Sequence, residues 1–201
     1  MLKKRLSAAL LLPLALWACT GEGGSAALAS TPTAQSQPAG VVSAADPRAA
    51  EAGAQMLRKG GSATDAAIAT MLALTVVEPQ SSGIGGGGFM VLGNPNGTVE
   101  TLDGRETAPM AAGPDWFLDK DGKPRPFMEA VMSGLSVGVP GNLRLVAKAH
   151  ERHGKLAWKA LFAPAITLAR DGFVIDERLH EFLVNARNRA AAQPEGRALF
   201  Y

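Results

Sequence analysis

The sequence predicts an α+β domain in which helices surround a short β-hairpin. Helices with recognisable first and last residues precede and follow a glycine-rich segment, and two strand-like runs with a hairpin turn between them come directly after that segment. The chain has 201 residues, of which 47% are hydrophobic, so it is long enough and apolar enough to form one domain with a core.

The helix predictions rest on capping residues. Asp46-Pro47 offers a favourable N-cap and first helical residue, and Gly60-Gly61 is expected to end that helix. Ser62 and Asp65 resemble a capping box, and the segment 66–77 is apolar nearly all round, so we expect a buried second helix. Three further helices are predicted, over 142–152, 157–171 and 177–191.

The hairpin prediction joins two short runs. Residues 89–92 and 98–102 have the composition of strands, and the turn at 94–97, Asn-Pro-Asn-Gly, is a hairpin signal. Residues 103–133 show no periodicity and are predicted to be irregular, and 136–139 is predicted to form another short strand.

Residues 1–29 are predicted to be an export signal. The positive segment Lys3-Lys4-Arg5 precedes an apolar stretch, 6–18, that is short for a membrane span. Two cleavage sites compete. The residues that end at Cys19 resemble a bacterial lipobox, in which the cysteine is lipidated, whereas the A-x-A pattern at 27–29 suits ordinary signal peptidase. Either site implies a periplasmic or cell-envelope protein, and the lipobox adds membrane anchoring through Cys19.

Residues 20–40 are predicted to be a flexible tether, since Ser, Thr, Gln, Gly, Pro and Ala dominate this run without apolar periodicity. The run favours the lipobox, because a tether behind a lipidated cysteine would hold a soluble domain away from the membrane. The domain itself is expected to span 41–201. Cys19 is the only cysteine, so neither an intramolecular disulfide nor a cysteine-based metal site is expected.

The charge balance argues against nucleic acid as a partner. The chain has 20 basic and 18 acidic residues, but Lys3, Lys4 and Arg5 belong to the export signal, which leaves 17 basic residues. A near-neutral domain without a basic stripe lacks the electrostatic footprint of a nucleic-acid-binding protein.

The glycine-rich segment 83–88 contains the pattern GxGxxG, which is also found in dinucleotide-binding proteins. That fingerprint requires a strand before the loop and a helix after it, so that the pyrophosphate meets a helix N-terminus. Here a helix precedes the loop and a strand follows it. We therefore expect no nucleotide cofactor and interpret the glycines as positions where backbone segments pack closely.

Serine and histidine residues offer weaker candidates for chemistry. Ser81 and Ser82 lie outside the Gly-x-Ser-x-Gly arrangement of a nucleophile elbow, so exposed loop serines are the simpler interpretation. His150 and His153 share a predicted helix but lack a third ligand, and His180 is remote in sequence, so no metal site is expected.

Arg105 is the candidate binding residue. It follows a predicted strand in the run Asp103-Gly104-Arg105-Glu106, and a guanidinium at such a junction can hold a carboxylate through two parallel hydrogen bonds. On spacing alone, an ordinary ion pair of Arg105 with Asp103 or Glu106 is the simpler interpretation.

A series of short motifs, taken in order and with its spacing, resembles the γ-glutamyltranspeptidase family. The motifs are 60–67 (GGSATDAA), 77–79 (VEP), 82–90 (SGIGGGGFM), 103–109 (DGRETAP), 137–141 (VGVPG), 153–155 (HGK), 164–166 (PAI) and 169–173 (ARDGF). Each motif is weak by itself. The series covers roughly 41–185, and its order makes the resemblance specific.

The resemblance implies an N-terminal nucleophile hydrolase fold, an αββα sandwich, of which this chain would carry only the N-terminal portion. It implies a precursor that cleaves itself into a large and a small subunit. The new N-terminal threonine of the small subunit then attacks a γ-glutamyl amide, typically that of glutathione, with its own α-amine as base. The γ-glutamyl group passes to water, an amino acid or a peptide. No cofactor is implied.

The resemblance gives Arg105 a role, since it matches the family arginine that pairs with the α-carboxylate of the γ-glutamyl group. The family threonine follows the segment equivalent to Tyr201, so we expect no catalytic residue within this chain and no activity from it alone. Two alternatives stay open. One is a β-lactam acylase of the same fold, and the other is a tethered lipoprotein that binds a ligand without catalysis.

We expect the protein to incorporate palmitate when it is produced in bacteria, and Cys19→Ala to lose the label, because the thiol of Cys19 is the proposed attachment point. Radiolabelled palmitate followed by gel fluorography measures this. Label that persists in Cys19→Ala would contradict lipidation at this residue, and an unlabelled wild-type protein would favour ordinary signal cleavage at 27–29.

Overall fold

The computed structural model describes residues 40–201. The predictions for the export signal, for Cys19 and for the tether up to residue 39 lie outside the described residues. Within 40–201 the elements are α1 (Pro47–Arg58), α2 (Ala63–Val77), β1 (Gly88–Gly93), β2 (Val99–Gly104), α3 (Phe127–Met132), a 3₁₀ turn (Gly134–Ser136), α4 (Asn142–His153), α5 (Trp158–Leu161), α6 (Ala163–Asp171), α7 (Glu177–Ala190) and α8 (Pro194–Phe200).

Helix α2 is the centre of the core. Its N-terminus has the predicted capping box, in which the Ser62 hydroxyl accepts from Asp65 N and the Asp65 carboxylate accepts from Ser62 N. The helix packs against α1, α4, α5 and α6. The fully or nearly buried hydrophobic residues of the main core cluster are Met56, Ala66, Ile68, Ala69, Leu72, Val146, Leu161 and Ala165. The prediction of a buried second helix is therefore confirmed.

The hairpin of β1 and β2 is antiparallel, with Gly88 opposite Gly104 and Gly93 opposite Val99. One face of it packs against α4, where Leu102 contacts the cluster that contains Leu145 and the fully buried Ala149. The other face is uncovered among the described residues. Its exposed hydrophobic side chains are Phe89, Val91 and Val99.

Three sequence predictions need correction. The predicted strand at 136–139 is instead the end of a 3₁₀ turn followed by a single bridge between Val139 and Thr107, because only this pair exchanges backbone hydrogen bonds. The irregular region 103–133 contains the short helix α3. The predicted helix 157–171 is divided into α5 and α6, and Pro164 lies in the first turn of α6, where its missing N–H costs least.

The Asp65 carboxylate connects α2 to the loop between α4 and α5. The side chain is fully buried, and its Oδ2 accepts from Ser62 N at 2.8 Å, Lys155 N at 2.9 Å and Leu156 N at 3.1 Å. Burial raises the pKa of this carboxyl, but the three backbone N–H groups together outweigh burial and hold the pKa below its usual value. The ionised carboxylate is thus part of the folded structure.

A second buried carboxylate attaches α7 to the end of α2. Glu78 is 1% exposed, and its Oε2 accepts from Arg178 Nη1 at 2.6 Å and from Gln80 Nε2 at 2.9 Å. Arg178 also donates to the Ser81 hydroxyl at 3.0 Å. An ion pair across 100 residues therefore holds α7 beside the start of the glycine-rich segment.

The helices of residues 40–201 are all too short or too polar to cross a bilayer.

We expect Asp65→Asn to lower the free energy of unfolding near neutral pH by about 1–3 kcal/mol, because a neutral amide oxygen accepts the three hydrogen bonds to Oδ2 more weakly than an ionised carboxylate does. The pKa of Asp65 is lowered in the folded state, so its contribution is present above the unfolded pKa of about 3.9 and is lost as pH falls through the folded pKa. Denaturant unfolding at several pH values measures the difference.

The control is Asp115→Asn, which changes an exposed carboxylate in a loop. The wild-type and Asp65→Asn curves should converge at low pH, whereas the control should follow the wild type throughout. A gap between wild type and Asp65→Asn that stays constant down to pH 2 would rule out the ionised carboxylate as its cause.

Candidate functional site

The glycine-rich segment 83–88 is held by the N-terminus of α4. The Asn142 side-chain amide donates to Gly83 O at 2.7 Å, and the backbone N–H groups of Gly141 and Asn142 both donate to Gly86 O at 3.0 Å. Three hydrogen bonds thus fix the segment immediately before β1. The Asn142 side chain is nearly buried, so these bonds are shielded from water.

Gly87 is the point of closest approach between this segment and the end of β2. A Cβ atom there would lie 2.6 Å from Glu106 N, 2.6 Å from Gly104 O and 2.8 Å from Glu106 Oε2. The Glu106 carboxylate consequently rests against the glycine backbone. The interpretation of these glycines as sites of close backbone packing agrees with this geometry.

The environment of Glu106 favours its ionised form. The hydrogen bond from its own backbone N–H is the largest cause and lowers the pKa of this carboxyl, while partial desolvation acts in the opposite direction. The N–H of Gly87 and the positive charge of Arg105 lower the pKa further. Glu106 is therefore an anion next to Arg105.

Arg105 stands at the end of β2 with most of its side chain in solvent. Its backbone N donates to Asp103 Oδ1 at 2.9 Å, and its Nη1 lies 2.9 Å from Glu106 Oε2. The ion pair anticipated from spacing is thus present, with Glu106 as the partner. The side chain is 61% exposed, and the other guanidinium N–H groups have no protein partner within residues 40–201.

Arg105 lines a groove of about 730 Å³. The other lining residues come from the glycine-rich segment, the stretch after β2 and the 3₁₀ turn, namely Gly85, Glu106, Thr107, Ala108, Pro109, Ala112, Gly113, Trp116, Phe117, Leu135, Ser136, Val137 and Gly138. A groove with one exposed guanidinium can hold a small ligand by a carboxylate.

The remaining candidates are not brought together. The Ser81 hydroxyl accepts from Arg178 Nη2 at 3.0 Å. His150 Nε2 is 2.8 Å from Leu156 O, and His153 Nε2 is 2.8 Å from Glu100 Oε2. In the described part of the chain, no group of three or more His, Cys, Asp or Glu residues could hold a metal ion.

Several residues of the site were not predicted from the sequence. The roles of Asn142 and Trp116 depend on contacts with residues 59 and 19 positions away. Gly141 gave a usable signal, because a glycine directly before a predicted helix suggests close backbone approach at its N-terminus. A Cβ on Gly141 would lie 2.0 Å from Gly104 O, so this position requires glycine.

The fold is that of the N-terminal portion of an N-terminal nucleophile hydrolase, in agreement with the predicted α+β class. The profile of the gamma-glutamyltranspeptidase family matches residues 49–201. The chain belongs to this family, and the resemblance stated from the motifs is confirmed.

Similar proteins include the glutathione hydrolase proenzyme of Bacillus subtilis (strain 168), 49% identical over 144 residues, which are 71% of this chain and 24% of the relative. The glutathione hydrolase proenzyme of Escherichia coli (strain K12) is 38% identical over 144 residues, or 72% of this chain and 25% of the relative. This chain thus spans about a quarter of the length of these relatives.

Two solved structures illustrate the structural similarity. The γ-glutamyltranspeptidase of Helicobacter pylori superposes with a TM-score of 0.76 at 38% identity, over 81% of this chain and 46% of that chain. A cephalosporin acylase from Bacillus halodurans superposes with a TM-score of 0.59 at 33% identity, over 71% of this chain and 26% of that chain.

We expect Gly87→Ala to destabilise the protein by about 1–3 kcal/mol, because the new methyl group would overlap two backbone atoms and the Glu106 carboxylate. Thermal unfolding followed by circular dichroism measures the effect. Gly85→Ala is the matched control, since no atom lies within 4 Å of a Cβ at that position. Equal melting temperatures for the two variants would refute the close packing at Gly87.

Proposed function

We propose that this chain is the N-terminal part of a glutathione hydrolase of the γ-glutamyltransferase type. In the full-length protein, γ-glutamyl groups would pass from glutathione and related compounds to water, amino acids or peptides. Two similar proteins are named glutathione hydrolase proenzymes, and the run Asp103-Gly104-Arg105-Glu106, which resembles a motif of the family, lies at the end of β2.

The observation that carries the proposal is the position of Arg105. Its guanidinium is anchored on one side by Glu106, and its other N–H groups face a groove. An α-carboxylate could accept two parallel hydrogen bonds from these groups while Glu106 keeps the guanidinium in place. Arg105 would thereby hold the γ-glutamyl group by its α-carboxylate. The γ-amide would then lie at a defined distance from Arg105.

The chemistry itself is assigned to the small subunit of the same precursor. Its N-terminal threonine would attack the γ-carbonyl carbon, and its own α-amine would accept the hydroxyl proton. The γ-C–N bond would then break as that proton passes to the leaving amine, and water or an amino acid would cleave the γ-glutamyl ester and regenerate the threonine hydroxyl. In this proposal residues 40–201 supply binding and scaffold, and they hold no catalytic residue.

A β-lactam acylase is the second candidate function. It is favoured by the structural similarity to the cephalosporin acylase from Bacillus halodurans. Arg105 argues for γ-glutamyl donors, because its guanidinium suits the α-carboxylate of a glutamyl group. Release of glutamate from γ-glutamyl-p-nitroanilide, compared with deacylation of a cephalosporin amide, separates the two candidates.

We also propose that the protein is exported to the periplasm or cell envelope and is anchored there through lipidated Cys19. The positive segment, the apolar stretch and the polar run after Cys19 support this proposal. Cell fractionation tests the location, and the palmitate experiment tests the anchor.

We expect Arg105→Ala in the full-length gene product to weaken binding of γ-glutamyl ligands roughly 30- to 150-fold, which corresponds to about 2–3 kcal/mol for hydrogen bonds to a charged group. Arg105→Lys should lose about tenfold, because lysine keeps the charge but cannot form the bidentate pair. Calorimetric binding, or kcat/KM where turnover occurs, measures both.

The control is Arg170→Lys, an exposed arginine on α6 that pairs with Asp171 and does not line the groove. It should bind as the wild type does. Unchanged binding in a folded Arg105→Ala protein would remove the basis of the proposed function, and deacylation of the cephalosporin amide alone would favour the second candidate.

A further inference from the structure

We propose that Trp116 selects γ-glutamyl compounds whose amine part is aromatic or bulky and apolar, by packing that part against its indole ring. The inference rests on the proposed function and extends it from the γ-glutamyl half of the ligand to the other half. It assigns Trp116, together with Phe117, as a specificity-determining residue.

The groove has two chemically distinct parts. Among residues 40–201, Arg105 and Glu106 are the only charged side chains that line it, and they are paired with each other. The wall beyond them is formed mainly by apolar side chains, with Trp116, Phe117 and Leu135 as the largest. Such a groove can hold a ligand with one carboxylate and one apolar group.

The indole ring of Trp116 is fixed before any ligand arrives. Its Nε1 donates to Leu135 O at 2.8 Å, and its backbone N donates to Gly113 O at 3.1 Å. Because the single polar atom of the side chain is already bonded, the ring offers a ligand only apolar surface. Trp116 is half-buried, and both its indole N–H and its backbone N–H are hydrogen-bonded. Its side chain therefore loses little conformational entropy when a ligand binds.

The loop that contains Trp116 and Phe117 is held by hydrogen bonds, although it forms neither a helix nor a strand. Arg125 N donates to Phe117 O at 2.9 Å, and the Asp119 carboxylate accepts from the N–H groups of Asp121 and Lys123, both at 2.9 Å. On the opposite side, the Ser133 hydroxyl accepts from Leu135 N at 3.2 Å. These bonds make the wall a preformed surface.

Aromatic amines are the partner chemistry that suits this wall best. Offset or edge-to-face packing of two rings contributes about 0.5–1.5 kcal/mol beyond the area that it buries. Phe117 is 44% exposed and lines the same groove, so it adds aromatic surface to that of Trp116. An α-carboxylate on Arg105 would anchor the ligand, and the amine substituent would then supply the discrimination.

The test compares γ-glutamylanilide with γ-glutamylmethylamide, two ligands that share the γ-glutamyl group and differ only in the amine substituent. Dissociation constants are measured by calorimetry on the full-length gene product, with kcat/KM in their place where glutamate is released. We expect the wild type to prefer the anilide and Trp116→Ala to reduce that preference about tenfold, with binding of the methylamide little changed. Trp116→Phe should keep most of the preference.

Phe127→Ala is the matched control, because it removes a ring that is 78% exposed and does not line the groove. If Trp116→Ala fails to fold, Phe117→Ala serves in its place, with a smaller loss of preference expected. An equal loss for both ligands, or an unchanged preference in a folded variant, would overturn the specificity role. A wild-type protein that binds neither ligand would instead refute the proposed function, and a wild type that binds both equally would refute this inference alone.

Discussion

The candidate site depends on one constraint, which is that three stretches of backbone meet more closely than side chains would allow. Gly87 lies against Gly104 and Glu106, and a Cβ on Gly141 would lie 2.0 Å from Gly104 O. This contact sets the hairpin against the start of α4, seats the Glu106 carboxylate on the glycine backbone and so places Arg105 at the groove. The position of a charged side chain is thus decided by residues without side chains.

The core below the site is held by apolar packing and by buried carboxylates together. Helix α2 contributes its apolar surface to α1, α4, α5 and α6, while Asp65 at its start and Glu78 at its end bind groups that are distant in the chain. Buried carboxylates with several hydrogen bonds add directional restraints that apolar contacts lack. The two ends of α2 are therefore fixed more specifically than its middle.

The sequence allowed prediction of the parts of the fold that have local causes. The N-caps of α1 and α2, the hairpin turn and the arginine after β2 are signals within a few residues, and the structure has all of them. The strand expected at 136–139 was wrong because a strand needs a partner, and a single bridge to Thr107 is all that forms. Asn142 and Trp116 act through long-range contacts, which a single sequence does not reveal.

The uncovered face of the hairpin has a consequence for how residues 40–201 associate with other strands. A two-stranded ribbon has open hydrogen-bonding edges, and in residues 40–201 both β1 and β2 are edge strands. With Phe89, Val91 and Val99 on its outer face, the ribbon is a template onto which further strands can be added at the side and a second layer can be stacked on top. An unpaired ribbon with an apolar outer face favours association with other strands, so this face is an aggregation-prone surface of residues 40–201.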